Sequence, residues 1–338
     1  MAFHMGVLKS LAERQLLENI TKISSVSGGS LLIGLILHES GMKWPDSHTY
    51  NSYIFPRLKQ KLCTKSFVKD MLKQLLDPAN IHLVLYRANL LAKALQREWG
   101  ISYHLSDLPE IPEISINGST AETGKRFRFK RDTFGDYELG YVDSTNFLLA
   151  EAMAVSAAFP GGLGPLTIKS SELDWKKRPH WNAPVDAAET IPCPYGKLHL
   201  YDGGVYDNLG LEPFFDVCNS IPKFKDTSLL VSDAGAPYQK GFSYVVFNPW
   251  RLKRVMDLMS EQTRSLRVRG FLEYIKRSQK GCRYIWIQEE LDGSLKRDHE
   301  DHACNYPTTL KRLSFNDFDK ISRHGYAVVN KHISIRAQ

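Results

Sequence analysis

The sequence predicts an α/β protein whose mainly parallel sheet is covered by helices on both faces. Two observations carry that expectation. Stretches with apolar residues at helical spacing alternate with short apolar runs bounded by turn residues. Two of those runs end in an aspartate, Asp202 and Asp233, each followed within two residues by glycine. That pattern suits a ligand site at the carboxyl ends of strands.

The elements follow in order. Met5, Val7, Leu8, Leu11, Leu16 and Leu17 recur at helical spacing around Lys9, Glu13 and Arg14, so the chain opens in or just before an amphipathic helix. Ile23 to Val26 reads as a short buried strand and Ser30 to His38 as a buried helix. A start of helix, strand, helix implies a further strand ahead of residue 1. Residues 57–99 read as helical, broken at Asp77-Pro78, with Lys61, Lys65, Lys69 and Lys73 along one face. A solvated face is the plainer reading of that stripe, and a membrane-docking face the alternative. Glu113 to Asn117 and Arg126 to Lys130 read as strands around a turn-rich Gly118 to Lys125, and Leu148 to Ala158 as a helix of small residues. Residues 170–196, polar and proline-bearing, read as a surface excursion. Strands are expected at Leu198 to Tyr201, Ser228 to Ser232 and Tyr284 to Gln288, and helices at Arg251 to Lys276 and Phe315 to His332. A single domain over 1–338 is the organisation this implies.

A hydrophobic fraction of 43% and a charged fraction of 24% over 338 residues suit a globular protein with a substantial core. The formal charge of +7 draws attention to acidic partners: nucleic acid, anionic lipid or phosphorylated substrates. Cys63, Cys193, Cys218, Cys282 and Cys304 are widely spaced with no CxxC pair, which argues against a disulfide scaffold or zinc ribbon and for reduced thiols in the cytosol. No apolar run is long enough to cross a bilayer, and the N-terminus lacks the pattern of a secretory signal. A cytoplasmic protein, at most peripheral to membranes, is expected.

Chemistry concentrates at Ser25-Val26-Ser27-Gly28-Gly29, where a strand turns into a helix among small residues. Such a turn is either an ordinary Gly-rich connection or a nucleophile elbow, in which small neighbours let the backbone turn sharply and substrate approach. The helix that follows aims its N-terminal dipole at Ser27, and the Gly28 N–H is the natural first oxyanion donor. A second cue is the Asp202-Gly203-Gly204 turn after the strand at 198–201. Alone it is ordinary turn chemistry. Paired with Ser27 it supplies a carboxylate to a serine for which none of the 11 histidines stands in a recognisable triad setting.

Together these stretches resemble the patatin-like phospholipase family, in its bacterial form. "FHMGVLKSLAERQLLENITKISSVSGGS" is similar to its first helix and elbow, "INGSTAETGKRFRF" to its middle hairpin, and "EAMAVSAAFPGGLGPL" to the helix and turn before its aspartate. "YDGGVYDNLGLE", "LLVSDAGAP", "QTRSLRVRG" and "YPTTLKRLSFNDFDKISRHGYAV" follow in the family's order. The resemblance implies a three-layer α/β/α fold and a Ser–Asp dyad without histidine, with Ser27 as nucleophile and Asp202 as base. Gly28 and Gly29 then form the elbow, and Gly203 and Gly204 the turn that supports the aspartate. It implies a phospholipid or other lipid ester as substrate; from the basic balance anionic membrane is expected as a peripheral contact, and no cofactor or metal is expected. In the family a Gly-rich oxyanion loop precedes the segment matching Ala2-Phe3-His4, so Met1 is expected to be an internal methionine. Without that loop, weak or no activity is expected, since losing one oxyanion donor costs roughly 10²–10³-fold in turnover. A catalytically inactive lipid-binding or regulatory protein is the alternative function.

Other features are read as structural. Asp298, His299, His302 and Cys304 match no metal template and read as a solvated polar loop. Arg264, Arg267, Arg269, Lys276, Arg277 and Lys280 lack the interleaved aromatics of a nucleic-acid surface, so no nucleic acid is expected, and phosphate head groups are a further option for these cations. His199, near Asp202, shares the strand face of Tyr201, and His324 is the residue that a Ser–His–Asp rival would use.

Overall fold

The structure is a computed structural model that describes residues 1–334 apart from 181–182, 218, 225–226, 239–240, 242–249, 278–280 and 292–293. Cys218 and Lys280 therefore lie outside the described residues. Helix α1 (Ala2–Ala12) is followed by β1 (Lys22–Ser25), α2 (Gly28–Glu39) and the single turn α3 (Ser47–Thr49). Next come α4 (Phe55–Thr64), α5 (Phe67–Gln74) and α6 (Arg87–Arg97), with a 3-10 segment, Pro78–Leu85, between the last two. Strands β2 (Glu113–Thr120), β3 (Arg126–Phe129), β4 (Thr133–Asp136) and β5 (Gly140–Asp143) precede α7 (Leu149–Ser156). Strands β6 (Leu166–Ile168), β7 (Lys176–Lys177), β8 (Glu189–Thr190) and β9 (Leu198–Asp202) lead into the short α8 (Gly204–Asp207). The C-terminal part holds β10 (Phe215–Asp216), β11 (Ile221–Pro222), β12 (Leu230–Asp233), α9 (Trp250–Arg277), β13 (Arg283–Trp286), α10 (Ser294–Asn305) and α11 (Phe315–Ser334).

These elements form two compact units. The first, Asn19–Pro45 with Lys65–Tyr206, contains a nine-stranded sheet. Its register determines where the chain ends meet. Ile116 on β2 pairs with both Ser25 of β1 and Phe129 of β3, so β1 and β3 lie on opposite edges of β2. Gly118 pairs with both Phe127 of β3 and Asp202 of β9, so β9 also lies opposite β3. Strands β1 and β9 thus share one edge of β2. Since β1 runs parallel to β2 and β9 antiparallel, they run toward each other and their C-terminal ends converge. Beneath the hairpins, Phe127, Phe129, Phe134 and Phe147 form an aromatic cluster, with the Phe134 and Phe147 centroids 4.4 Å apart.

The second unit, Met1–Glu18 with Asp46–Thr64 and Asp207–Gln338, packs α1 against α11. A Cβ on Gly6 would stand 1.8 Å from the Ser322 carbonyl oxygen, and one on Gly325 2.2 Å from that of Phe3. Only glycine allows the two backbones to approach so closely. Parallel strands β12 and β13 cover a core of Leu211, Phe215, Leu229, Val231, Phe271 and Tyr284. At the end of β12, buried Asp233 accepts hydrogen bonds from Arg264 Nε (2.8 Å), Tyr284 Oη (2.6 Å) and the Gly235 N–H (2.8 Å).

The α/β class holds, but the large sheet is mostly antiparallel rather than mainly parallel. Only β1–β2 is parallel within it, because β2 to β5 are joined by turns too short for the crossover that parallel neighbours require. Residues 57–99 are not one interrupted helix. Ser66 caps α5 with its hydroxyl on the Lys69 N–H (3.4 Å), so Lys61 belongs to one helix and Lys69 and Lys73 to the next. The surface excursion at 170–196 carries β7 and β8 of the sheet and a buried Trp175, whose Nε1 donates to the Ser170 carbonyl at 2.9 Å. The polar stretch around Asp298 to Cys304 is helix α10 rather than a loop.

Candidate functional site

Two residues beyond Ser25 the chain has come level with Gly118, the β2 residue that faces Asp202. Ser27 occupies that point with φ 52° and ψ −125°, a conformation that costs a non-glycine residue about 1–3 kcal/mol. It caps α2, yet its hydroxyl makes no capping bond to the helix. Its electrostatic influence is felt by the Asp202 carboxylate, whose pKa the Ser27 hydroxyl lowers. An N-cap serine ordinarily uses its oxygen on the first-turn N–H groups, and this one does not.

The strain is held from below. The Ser27 N–H donates to Ser156 Oγ (3.0 Å), and Ser156 donates to the Asn117 carbonyl (2.6 Å). Ser30 Oγ lies 2.8 Å from Ser156 Oγ and 2.9 Å from Ser25 Oγ. Asn117 Nδ2 donates to the Ser25 carbonyl and to Ser24 Oγ, both at 2.9 Å. Ser25, Ser30, Asn117 and Ser156 are buried, so this network ties β1, α2, β2 and α7 together beneath the turn. Of these supporting residues only Ser25 was singled out from sequence, and there only as a small residue of the turn. Ser156 and Ser27 are 129 positions apart, and no spacing rule links them.

Asp202 is buried, and burial raises its carboxyl to about 6, against the Gly204 N–H and the Ser27 hydroxyl, which work to lower it. The Gly204 N–H donates to Oδ1 at 2.7 Å. A Cβ on Gly203 would stand 2.4 Å from the Asn117 carbonyl oxygen, so the turn after Asp202 requires glycine. Gly28 opens α2 and its N–H is one of the unpaired donors of a helix start. A Cβ on Gly29 would meet nothing within 4 Å, which leaves open space on that side of the turn. The arrangement places a strained serine, a buried carboxylate raised to about 6 and the Gly28 N–H at a positive helix end in one turn region.

The other candidates have separate engagements. His199 is on the opposite face of β9 from Asp202, with Nδ1 2.6 Å from Glu122 Oε1. His324 belongs to the second unit, fully buried, where its Nε2–H donates to the Ile287 carbonyl (2.6 Å) and burial lowers its pKa. Asp298 pairs with Lys320 (2.9 Å) and His302 with Asp317 (3.0 Å), while Cys304 Sγ donates to the Ile287 carbonyl (3.2 Å). No metal-holding group of three or more His, Cys, Asp or Glu side chains occurs among the described residues. Arg264 and Arg267 are tied to carboxylates, Arg264 Nη2 to Asp233 (2.7 Å) and Arg267 Nη1 to Glu212 (3.2 Å), rather than presented to an anion. No helix among the described residues is long and apolar enough to cross a membrane.

Fold and site together define an α/β protein with a serine on a strained strand-to-helix turn beside a buried aspartate. The family model for patatin-like phospholipases matches residues 1–215, and the chain belongs to that family. Membership points to lipid hydrolase activity and a lipid substrate. A comparison with curated proteins returned no match.

Proposed function

We propose that the protein is a phospholipase A-type lipid acyl hydrolase that works through a Ser27–Asp202 dyad. The observation that carries the reading is a strained Ser27 at the end of β1, where β9 brings the buried Asp202 carboxylate, raised to about 6 by burial. A base poised there is largely ionised at neutral pH yet basic enough to accept a proton in the transition state. Ser27 Oγ attacks the ester carbonyl carbon as its proton passes to Asp202. The Gly28 N–H and the positive end of α2 stabilise the oxyanion. Asp202 then protonates the departing alcohol, leaving the acyl group as an ester on Ser27. A water that gives its proton to Asp202 attacks that ester, and collapse returns the proton to Ser27 and releases the fatty acid.

The test is release of fatty acid from phospholipid by the wild type, Ser27→Ala and Asp202→Asn. Loss of turnover by about 10²-fold or more in both variants, with folding intact, is expected for members of one proton-transfer unit. Wild-type turnover in either variant would overturn the dyad.

A further inference from the structure

The same unit presents a run of exposed apolar side chains to solvent. Leu72, Leu76, Ile81, Val84, Leu85 and Tyr86 are all exposed, and Leu76 and Leu85 are each 82% exposed. They lie at the end of α5 and along the 3-10 segment Pro78–Leu85, in which only Asn80 and Leu83 are buried. Hydrogen bonds lead from this segment toward the site. The Ala88 N–H donates to the Leu163 carbonyl (2.9 Å), and Arg87 Nη1 donates to that of Gly162 (3.2 Å). Both acceptors belong to the turn that begins at exposed Phe159, and the preceding Ala158 carbonyl accepts the Asp202 N–H (3.0 Å). The apolar segment is thus braced on the turn that also holds the aspartate.

Charge accompanies it. Residues 65–98 carry six cations (Lys65, Lys69, Lys73, Arg87, Lys93 and Arg97) against three acids, Asp70, Asp77 and Glu98, with Lys73 paired to Glu98 (2.6 Å) and Arg97 to Asp77 (3.1 Å). Lys69 and Arg87 are exposed at either end of the apolar stretch. Apolar tips flanked by cations match the order of an interface in which acyl chains lie beneath anionic phosphates. So much exposed aliphatic surface is unusual for a protein without a partner for it.

We propose that residues 72–86, with Phe159, form an interfacial docking surface that seats the site on an anionic lipid surface. This rests on the lipid hydrolase reading of the same site, and the two are separated by scoring binding apart from hydrolysis. Wild type and an Ile81→Asp/Leu85→Asp variant are sedimented with vesicles of phosphatidylcholine, with and without phosphatidylglycerol. Both are also assayed on vesicle lipid and on a short-chain soluble ester. The wild type binds the phosphatidylglycerol vesicles more tightly, and salt weakens that binding. The variant loses vesicle binding and vesicle hydrolysis by about tenfold or more while keeping its hydrolysis of the soluble ester. Leu76→Asp is the second variant should the first fail to fold, and the same losses are expected of it. Vesicle binding indifferent to these substitutions overturns the proposal. So does a dimer that the substitutions dissociate while vesicle binding persists, because the surface then seats a second copy. A protein that binds through these residues but hydrolyses neither substrate retains the docking surface and overturns the hydrolase reading.

Discussion

Ser27 combines backbone strain with a hydroxyl withheld from helix capping, and its cost must be met by neighbours. Ser156 is the neighbour that accepts its N–H. Ser156→Ala removes that acceptor and a donor to Asn117, so a loss of about 1–3 kcal/mol in denaturant unfolding is expected, together with a lower turnover at unchanged substrate affinity. Asp202 makes a sharper prediction. Its folded pKa of about 6 lies above the ordinary 3.8, so the protonated form is favoured in the fold. Its contribution to stability is full below pH 3.8 and is lost as pH rises through about 6. At pH 8 the ionised group then costs on the order of 3 kcal/mol. Asp202→Asn should therefore be more stable than wild type at pH 8, and the advantage should vanish by about pH 4, as urea melts would read. Turnover runs the opposite way, with wild-type activity rising through about pH 6 as the base ionises. Ser27, Asp202 and their glycines stood out in the sequence because each lies in a local turn pattern. Asn117 and Ser156 were not, because only the sheet brings them beneath the elbow.

At the scale of elements, close backbone contact and one buried ionic cluster bear on the stability of the second unit. Gly6→Ala or Gly325→Ala places a methyl group inside a backbone oxygen's contact distance, which the neighbouring helix backbone can relieve only by moving. Each should cost about 1–3 kcal/mol, read as a fall in Tm. Arg264→Met leaves Asp233 buried with only Tyr284 and Gly235 as partners, and should cost about 3–5 kcal/mol. Helices α7, α9 and α11 and strands β3 and β9 were legible to within a few residues, since each carries its own local pattern, whereas the helix breaks within 57–99 and helix α10 were not. Sheet direction was not. The turn-rich 118–125 segment already marked a hairpin, but alternation of strand and helix at both ends of the chain outweighed it. The two-residue strands β7 and β8 are too short for a period-2 pattern to exist.

Over the whole molecule, the family match at 1–215 contains every residue of the described site, from Ser24 to Gly204. The basic balance of +7 is too diffuse to name a partner, and two of the arginines that invited an anion are already paired within the protein. What the fold adds is convergence: strands β1 and β9 run toward each other along one edge of β2, so a serine just beyond one and an aspartate at the end of the other come from converging strand ends. The most direct test is covalent. The wild type, Ser27→Ala and Asp202→Asn are treated with a fluorophosphonate at pH 8, and the adduct is mapped by peptide mass spectrometry. A single adduct on Ser27, absent from Ser27→Ala and formed about 10²-fold or more slowly in Asp202→Asn, is the predicted result. An adduct on another residue that persists in Ser27→Ala, or a labelling rate indifferent to Asp202→Asn, would contradict it.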